Sequence, residues 1–383
     1  MTDSTRPAPL DAALDTTAAL KANFATVATH GDDVAAYFYA HLFLTHPEVR
    51  ELFPLAMTEQ RDRLLGALIR IVTHVDRLAE LAPYLAELGR DHRKFGALAG
   101  HYPAVGASLL ATLEHFSGAR WSAALAAQWS AAYAAVSEAM IRAAADADAR
   151  EPAWYDGEIV EIDRRTVDLA VLRVRTEQPV PYRAGQSMAL QATRLRPRVW
   201  RPFTPATRPS GLEFDLHVRA IDGGTLSTAL VRAARPGEPV RLGAPYGRLS
   251  LDPAAYRPLL MIAGGTGLAP MKAMIEQLID SGGRPTHLFH GVRTGREAYD
   301  QAWLAATAAE HHTWLSVCTA TSHDERWAGP RGRIGELAAA QADWAGYDVA
   351  VCGSPEMVEA TVKALVARGV PDERIVFEEF GKA

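Results

Sequence analysis

Three groups of residues in this 383-residue chain have types and spacings that suit chemistry. The first is His92, in PYLAELGRDHRKF (83–95), where Arg90, Asp91, Arg93 and Lys94 suggest a wet surface. The apolar stripe says otherwise: Leu81, Leu85, Leu88, His92 and Phe95 recur at helical intervals, which turns His92 toward a core and the charges away from it. A buried imidazole needs a partner for each ring nitrogen. Two readings stay open: a core histidine bonded to a backbone carbonyl, and a metal or haem ligand. The second group is MIAGGTGLAPMKAMI (261–275), a buried run entering Gly264, Gly265, Thr266 and Gly267, with Leu268, Ala269 and Pro270 leading into a helix expected over 269–280. Glycines let a backbone approach a pyrophosphate, and a helix N-terminus favours its charge. The third is GGTLSTAL (223–230), where Gly224, Thr225 and Ser227 offer backbone and hydroxyl donors at another helix start.

The elements that position these groups differ between the two halves. Residues 10–149 are rich in Ala and Leu and punctuated by Gly31, Pro47, Pro54, Pro83, Pro103 and Gly118, read as breaks between helices. Asp32 or Asp33 can cap a helix carrying Val34, Phe38 and Leu42, and Thr58 can cap the next, with Leu64, Leu68, Ile71 and Val75 on one side. Leu125, Trp129, Val136 and Met140 mark a last helix. AAADADAREPAWYDG (143–157) ends the periodicity. LEFDLHV (212–218) then alternates, Leu212, Phe214, Leu216 and Val218 facing a core and Glu213, Asp215 and His217 facing out. Short strands continue to about residue 256, as in a small barrel. LLMIA, HLFHGV, WLSVCTA, DVAVCG and RIVFEEF then alternate with helices as in a parallel α/β sheet. The expectation is a multidomain chain: an all-α domain (1–150), a small antiparallel β-barrel (151–257) and an α/β domain (258–383).

Composition narrows the function. A net charge of −5 with 22% charged residues carries no basic excess for nucleic acid. Cys318 and Cys352, the two cysteines, form neither a disulfide framework nor a zinc pattern. No run of about 18 apolar residues reads as a membrane span, and MTDSTRPAPLD lacks the basic start and apolar stretch of a signal peptide. The expectation is a cytoplasmic protein acting on small molecules, as a monomer or weak dimer.

YFYAHLFLTHPEVRELF, EQRDRLL, RDHRKF and HYPAVGASLLATL follow one another over 21–141, and in that order resemble the globin domain of flavohaemoglobins. The resemblance implies haem b with His92 as proximal ligand to the iron, Tyr102 as the proximal tyrosine, Tyr39 and Gln60 as distal donors to oxygen, Phe53 packed on the haem and Leu64 beside the sixth position. Two residues depart from the family. Asp91 stands where it has a lysine, and Ala144 where it has a glutamate in the last helix; Glu138 is the nearest carboxylate. Without that glutamate His92 is expected to be a weaker donor, with the iron potential shifted upward.

WRPFTPA (200–206) resembles the flavin motif of ferredoxin-reductase-like flavoproteins, which implies that Arg201 pairs with a flavin phosphate and Thr204 contacts the ring system, with Phe203 in place of the usual tyrosine. GGTLSTAL resembles their second phosphate loop. VCGSPEMV resembles their turn near the nicotinamide, carried by Cys352, Gly353 and Pro355, and VFEEFGKA their C-terminus, with Glu378 as electron-transfer glutamate and Phe380 as the aromatic beside the flavin. The whole implies an enzyme in which NAD(P)H reduces FAD, FAD reduces haem b, and the haem turns nitric oxide and O2 into nitrate. An NAD(P)H oxidase or diaphorase, and an oxygen sensor or carrier with its own reductase, are the alternatives. Arg293, Arg296 and Arg326 are the candidates for a 2′-phosphate partner, and the reading leans to NADH over NADPH.

Overall fold

The computed structural model describes residues 9–252 and 255–381 and divides after Trp154 into two compact units. The first is helical: α1 (Pro9–Ala28), α2 (Asp32–Thr45), α3 (Thr58–Thr73), α4 (Leu78–His92), α5 (Tyr102–Ser117) and α6 (Ala123–Asp148). Gly31 and Gly118, at φ of 55° and 54°, take a positive-φ backbone open to glycine, just before α2 and at the end of α5. The expected caps fall differently. Asp32, Asp33 and Thr58 lie inside the first turns, after Gly31 and Met57, and no side chain caps either helix; the two aspartates act instead on the positive end of the helix dipole. Pro83 does not break its helix. It lies in the second turn of α4, where its ring deletes one backbone bond and the helix runs on to His92.

Val34, Phe38, Tyr39 and Leu42 of α2 bury against Leu20, Phe24, Val27, Leu113 and Trp129. A second cluster joins Leu81 and Leu85 of α4 to Met140 of α6, with Leu88, Tyr102 and Val136 at its edge. The two helices cross closely at Gly89, where a Cβ would lie 2.3 Å from the Met140 carbonyl oxygen.

The second unit begins with β1 (Tyr155–Arg164), β2 (Leu169–Thr176), β3 (Met188–Ala192), β4 (Arg201–Phe203), β5 (Glu213–Arg219), α7 (Thr225–Arg232) and β6 (Glu238–Leu242). The strands form an antiparallel sheet ordered β4-β3-β6-β1-β2-β5. A bridge between Pro205 and Leu216 ties its two edges, so the sheet nearly closes into the expected barrel. Phe214, Leu216 and Val218 face its core as read, but Leu212 lies outside β5 and is exposed. His217, expected in solvent, is only 6% exposed because Tyr299 covers it.

The rest is β7 (Leu259–Gly264), α8 (Leu268–Asp280), β8 (Thr286–Val292), α9 (Gln301–Glu310), β9 (Leu315–Thr321), α10 (Ile334–Gln341), β10 (Asp348–Gly353), α11 (Pro355–Val366) and β11 (Ile375–Glu379). The strands make a parallel sheet in the order β11-β10-β7-β8-β9. α8 and α9 bury Met271, Met274 and Leu304 on one face, while α10 and α11 bury Ile334, Ala338, Val358 and Leu365 on the other. The chain steps from β7 outward to β9 and returns to β10 on the other side, so a topological switch lies between β7 and β10.

Gly89→Ala tests the close helix crossing. Propensity alone favours alanine by about 1 kcal/mol, but the clash is with backbone, which cannot rotate away. The substitution should destabilise the helical unit by about 1–3 kcal/mol in denaturant unfolding; a gain in stability would show that α4 and α6 do not cross this tightly.

Candidate functional site

His92 closes α4, and its Nδ1 lies 2.7 Å from the Leu88 carbonyl oxygen. A carbonyl only accepts, so Nδ1 carries the proton and Nε2 the lone pair. Phe95 stands edge-on to the ring at 6.3 Å; burial pushes the imidazole pKa down, favouring the neutral form a metal ligand needs. One ring nitrogen is therefore satisfied by a carbonyl, and the other makes no hydrogen bond among the described residues. Among the described residues no group of three His, Cys, Asp or Glu could hold a bare ion. A metal on His92 must bring its other ligands with it, as haem does, and the residues fit that group.

Around His92 the departures have structural consequences. Asp91 pairs with Lys94, and Glu138 is exposed and pairs with Arg142 at 3.2 Å, so neither serves the imidazole. Ala144 is half-buried on α6. Tyr102 is half-buried and makes no hydrogen bond to His92; its carbonyl accepts from Tyr133 at 2.6 Å. Arg93, 5% exposed, locks this turn to the end of α6 through Asp148 at 2.7 Å and Glu151 at 3.4 Å.

Tyr39, Gln60, Phe53 and Leu64 come together on the core of α2 and α3. The Tyr39 hydroxyl donates to the Gln60 backbone carbonyl at 3.3 Å. Phe53 stands edge-on to Tyr39 at 5.5 Å and to Phe43 at 5.3 Å, and Leu64 packs on the same cluster. Burial pushes the Tyr39 phenol up to about 12, so it stays a neutral donor.

In the second unit the carboxyl ends of β7, β10 and β11 converge. Cys352 stands in register between Ala263 and Glu378. Gly264, Gly265, Thr266 and Gly267 form the turn into α8, with Leu268, Ala269 and Pro270 as its first residues. A Cβ on Gly267 would lie 2.2 Å from the Cys352 oxygen, and one on Gly353 would lie 2.6 Å from the Met357 sulfur. Phe380 donates its N–H to the Gly353 carbonyl at 2.7 Å. Gly224 precedes α7, with Thr225 exposed and Ser227 half-buried in its first turn. Arg201 and Phe203 lie on β4, half-buried.

Thr204 and Glu378 are joined by a residue the sequence reading missed. The Ser187 hydroxyl lies 2.8 Å from the Thr204 hydroxyl and donates to the Glu378 carboxyl at 3.4 Å. Burial pushes that carboxyl toward its protonated form and also raises the Cys352 thiol. Ser187 sits in AGQSMAL (184–190), with no sequence signal beyond a small polar residue at a strand edge. Among the arginine candidates, Arg293 pairs with Glu297 at 3.1 Å. Asp324 accepts from the N–H groups of Gly295 and Arg326 at 2.9 and 3.0 Å, which holds its carboxyl low.

Two further histidines are buried: His217, which the strand alternation turned to solvent, and His290, to which the sequence reading gave no role. His217 Nδ1 is 2.7 Å from the Tyr299 hydroxyl, and His290 Nε2 is 3.1 Å from the Gly265 carbonyl. Their other nitrogens, Nε2 of His217 and Nδ1 of His290, are buried without a hydrogen-bond partner among the described residues. Nearby, Lys272 pairs with Asp300 at 2.7 Å.

Three family models match in sequence: Globin over 36–140, Oxidoreductase FAD-binding domain over 156–251 and Oxidoreductase NAD-binding domain over 261–363. The chain is 34% identical over 221 residues to the ferredoxin–NAD(P)+ reductase component of naphthalene 1,2-dioxygenase/salicylate 5-hydroxylase systems from a Ralstonia species. That match takes in 55% of this chain and 64% of the relative, so just under two thirds of that reductase is represented. A flavohemoprotein of Rhizobium meliloti is 24% identical over 294 residues, 72% of this chain and 73% of its own length. The fold is that of the flavohemoglobin from Malassezia yamatoensis, solved with bound FAD and heme, at a TM-score of 0.76 and 19% identity over 96% of this chain and 98% of that one.

The buried histidines set an acid limit. Desolvation holds His217 at about 3 and His290 at about 4, against about 6.5 in an unfolded chain. Below pH 6.5 the unfolded state binds protons that the folded state refuses. Stability therefore falls as pH drops toward 4, by about 1.4 kcal/mol per pH unit for each imidazole. Unfolding of the second unit, followed by flavin fluorescence between pH 7 and 5, should show this slope, and His217→Gln should reduce it by about half; a flat profile would mean that the imidazoles reach solvent.

Proposed function

Because the chain belongs to the flavohaemoglobins, a globin domain followed by FAD- and NAD-binding oxidoreductase domains, we propose that this oxidoreductase is an NAD(P)H-dependent nitric oxide dioxygenase. What carries the reading is the combination in one chain of an imidazole with a free Nε2, a buried tyrosine donor and FAD- and NAD-binding oxidoreductase domains. Nitric oxide, dioxygen and one electron together make nitrate, so each NAD(P)H serves two turnovers. Bound haem supplies an iron for diatomic ligands, and bound FAD divides a hydride into single electrons.

The chain's own residues bind, orient and hold protons. The Leu88 carbonyl fixes the His92 tautomer, and the Arg93 clasp fixes the turn that bears it. Tyr39 keeps its proton; its bond to the Gln60 carbonyl, long at 3.3 Å, yields to a better acceptor, and the Phe43 and Phe53 rings keep water from it. Arg201 matches a flavin phosphate in shape and charge. Thr204, Ser187 and Glu378 form a chain along which a proton can be held or passed beside a flavin. The turn at 264–267 presents backbone donors to a dinucleotide pyrophosphate. The pairing of Arg293 with Glu297 and the carboxylate of Asp324 among the remaining arginines support NADH over NADPH.

One observation favours the oxidase reading: among the described residues no carboxylate hydrogen-bonds to His92, so less electron density is pushed from the proximal side. A single experiment separates the two. Nitric oxide added to the protein with NADH and air should disappear as nitrate, at two molecules per NADH. If NADH is consumed at the same rate with and without nitric oxide, and hydrogen peroxide accumulates, the protein is an oxidase.

Two variants test the residues. His92→Ala should lose the haem band and keep FAD, and a normal haem spectrum would remove His92 from the iron. Tyr39→Phe should speed oxygen dissociation by at least about tenfold, the loss of one hydrogen bond to a partly charged ligand, measured by stopped-flow displacement.

A further inference from the structure

We propose that His290 is a positioning residue for the nicotinamide dinucleotide, holding the turn after β7 in the shape that presents its donors. This rests on the reading that the turn at 264–267 takes the pyrophosphate. His290 lies on β8 opposite Ala263, the residue just before the turn, and is wholly buried. Its Nε2 is 3.1 Å from the Gly265 carbonyl oxygen, so that nitrogen bears the proton and the ring is the Nε2–H tautomer.

The argument turns on the planarity of one peptide. The carbonyl of Gly265 and the N–H of Thr266 belong to the same trans peptide and point in opposite directions. With the oxygen drawn in to His290, the Thr266 N–H is directed the other way. That N–H lies in the first turn, where the helix supplies no acceptor, so it is one of the donors a phosphate would meet. Were the peptide to flip, a carbonyl lone pair would face the phosphate instead. Gly265, at φ of 55°, has the freedom to flip. Another bond on its oxygen comes from the Leu268 N–H, in a short 3-10 turn of poorer hydrogen-bond geometry. His290 adds a side-chain bond from outside the turn and removes that freedom.

The surroundings fix the imidazole itself. Tyr299 stands edge-on to His290 at 6.4 Å and to His217 at 5.2 Å, and its hydroxyl is tied to His217 Nδ1. His290 Nδ1 has no hydrogen-bond partner among the described residues, so no competing bond draws the ring away from Gly265. Burial keeps the ring neutral, and the donor is retained across the physiological range.

The test uses the full-length protein loaded with haem and FAD, with NADH reduction of the flavin followed by stopped flow. His290→Phe keeps the ring and removes the donor; it should raise the NADH concentration for half-maximal rate about tenfold. The limiting rate, the FAD content and the haem spectrum should stay within about twofold of wild type. His290→Gln, which retains an N–H donor, should recover most of the affinity. An unchanged half-saturating concentration in His290→Phe overturns the proposal. So does a loss of affinity that comes with loss of FAD, or that Gln does not rescue, since either marks a structural role only. Hydrogen exchange on the wild type separates the underlying reading: without protection of 264–268 by NAD+ the turn is not the dinucleotide site, whatever His290 does.

Discussion

The second unit is organised around one backbone contact. The Cys352 carbonyl lies where any side chain on Gly267 would be, 2.2 Å from the position of its Cβ. This approach seats the turn after β7 against the end of β10. Register does the rest: Cys352 is paired with Ala263 on one side and Glu378 on the other. A slip of one residue moves a strand by about 3.3 Å and turns its side chains to the other face. Glu378 would then leave Ser187, and the link from the C-terminal strand to Thr204 on the barrel would open.

The helical unit uses the same device for a different end. Gly89 lets α4 and α6 touch through backbone one turn before His92. Arg93, one residue after His92, grips Asp148 and Glu151 at the far end of α6. The histidine is therefore bracketed by two independent contacts to the same helix. With Ala144 in place of a carboxylate and Glu138 turned outward, the geometry of His92 is set by packing and by the Leu88 carbonyl, and among the described residues no carboxylate hydrogen-bonds to it.

Much of this was legible because it follows from local rules. The stripe through Leu81, Leu85 and His92, the alternation of Phe214, Leu216 and Val218, and the glycines of the turn at 264–267 each state their own environment. The failures are equally physical. Pro83 read as a break because proline removes a donor, yet a helix held by tertiary contacts tolerates the loss of one bond. His217 read as exposed because alternation knows only its own strand, and the cover comes from Tyr299, 82 residues away. Ser187 and His290 act through partners distant in sequence, Glu378 and Gly265, and no window along the chain contains both members of either pair.

Burial also decides what each polar group can do. It raises the phenol of Tyr39, the thiol of Cys352 and the carboxyl of Glu378, and lowers the imidazoles of His92, His217 and His290. Every one of these shifts favours the neutral form. In a low-dielectric interior a fixed charge beside a redox group shifts its potential strongly, whereas a neutral donor orients without that bias. Charged residues near these groups are paired with opposite charges, as Arg93 with Asp148, Lys272 with Asp300 and Arg293 with Glu297. The phenol, thiol, carboxyl and imidazoles thus orient as uncharged hydrogen-bonding groups, and the changes of charge that accompany electron transfer are left to the groups they hold.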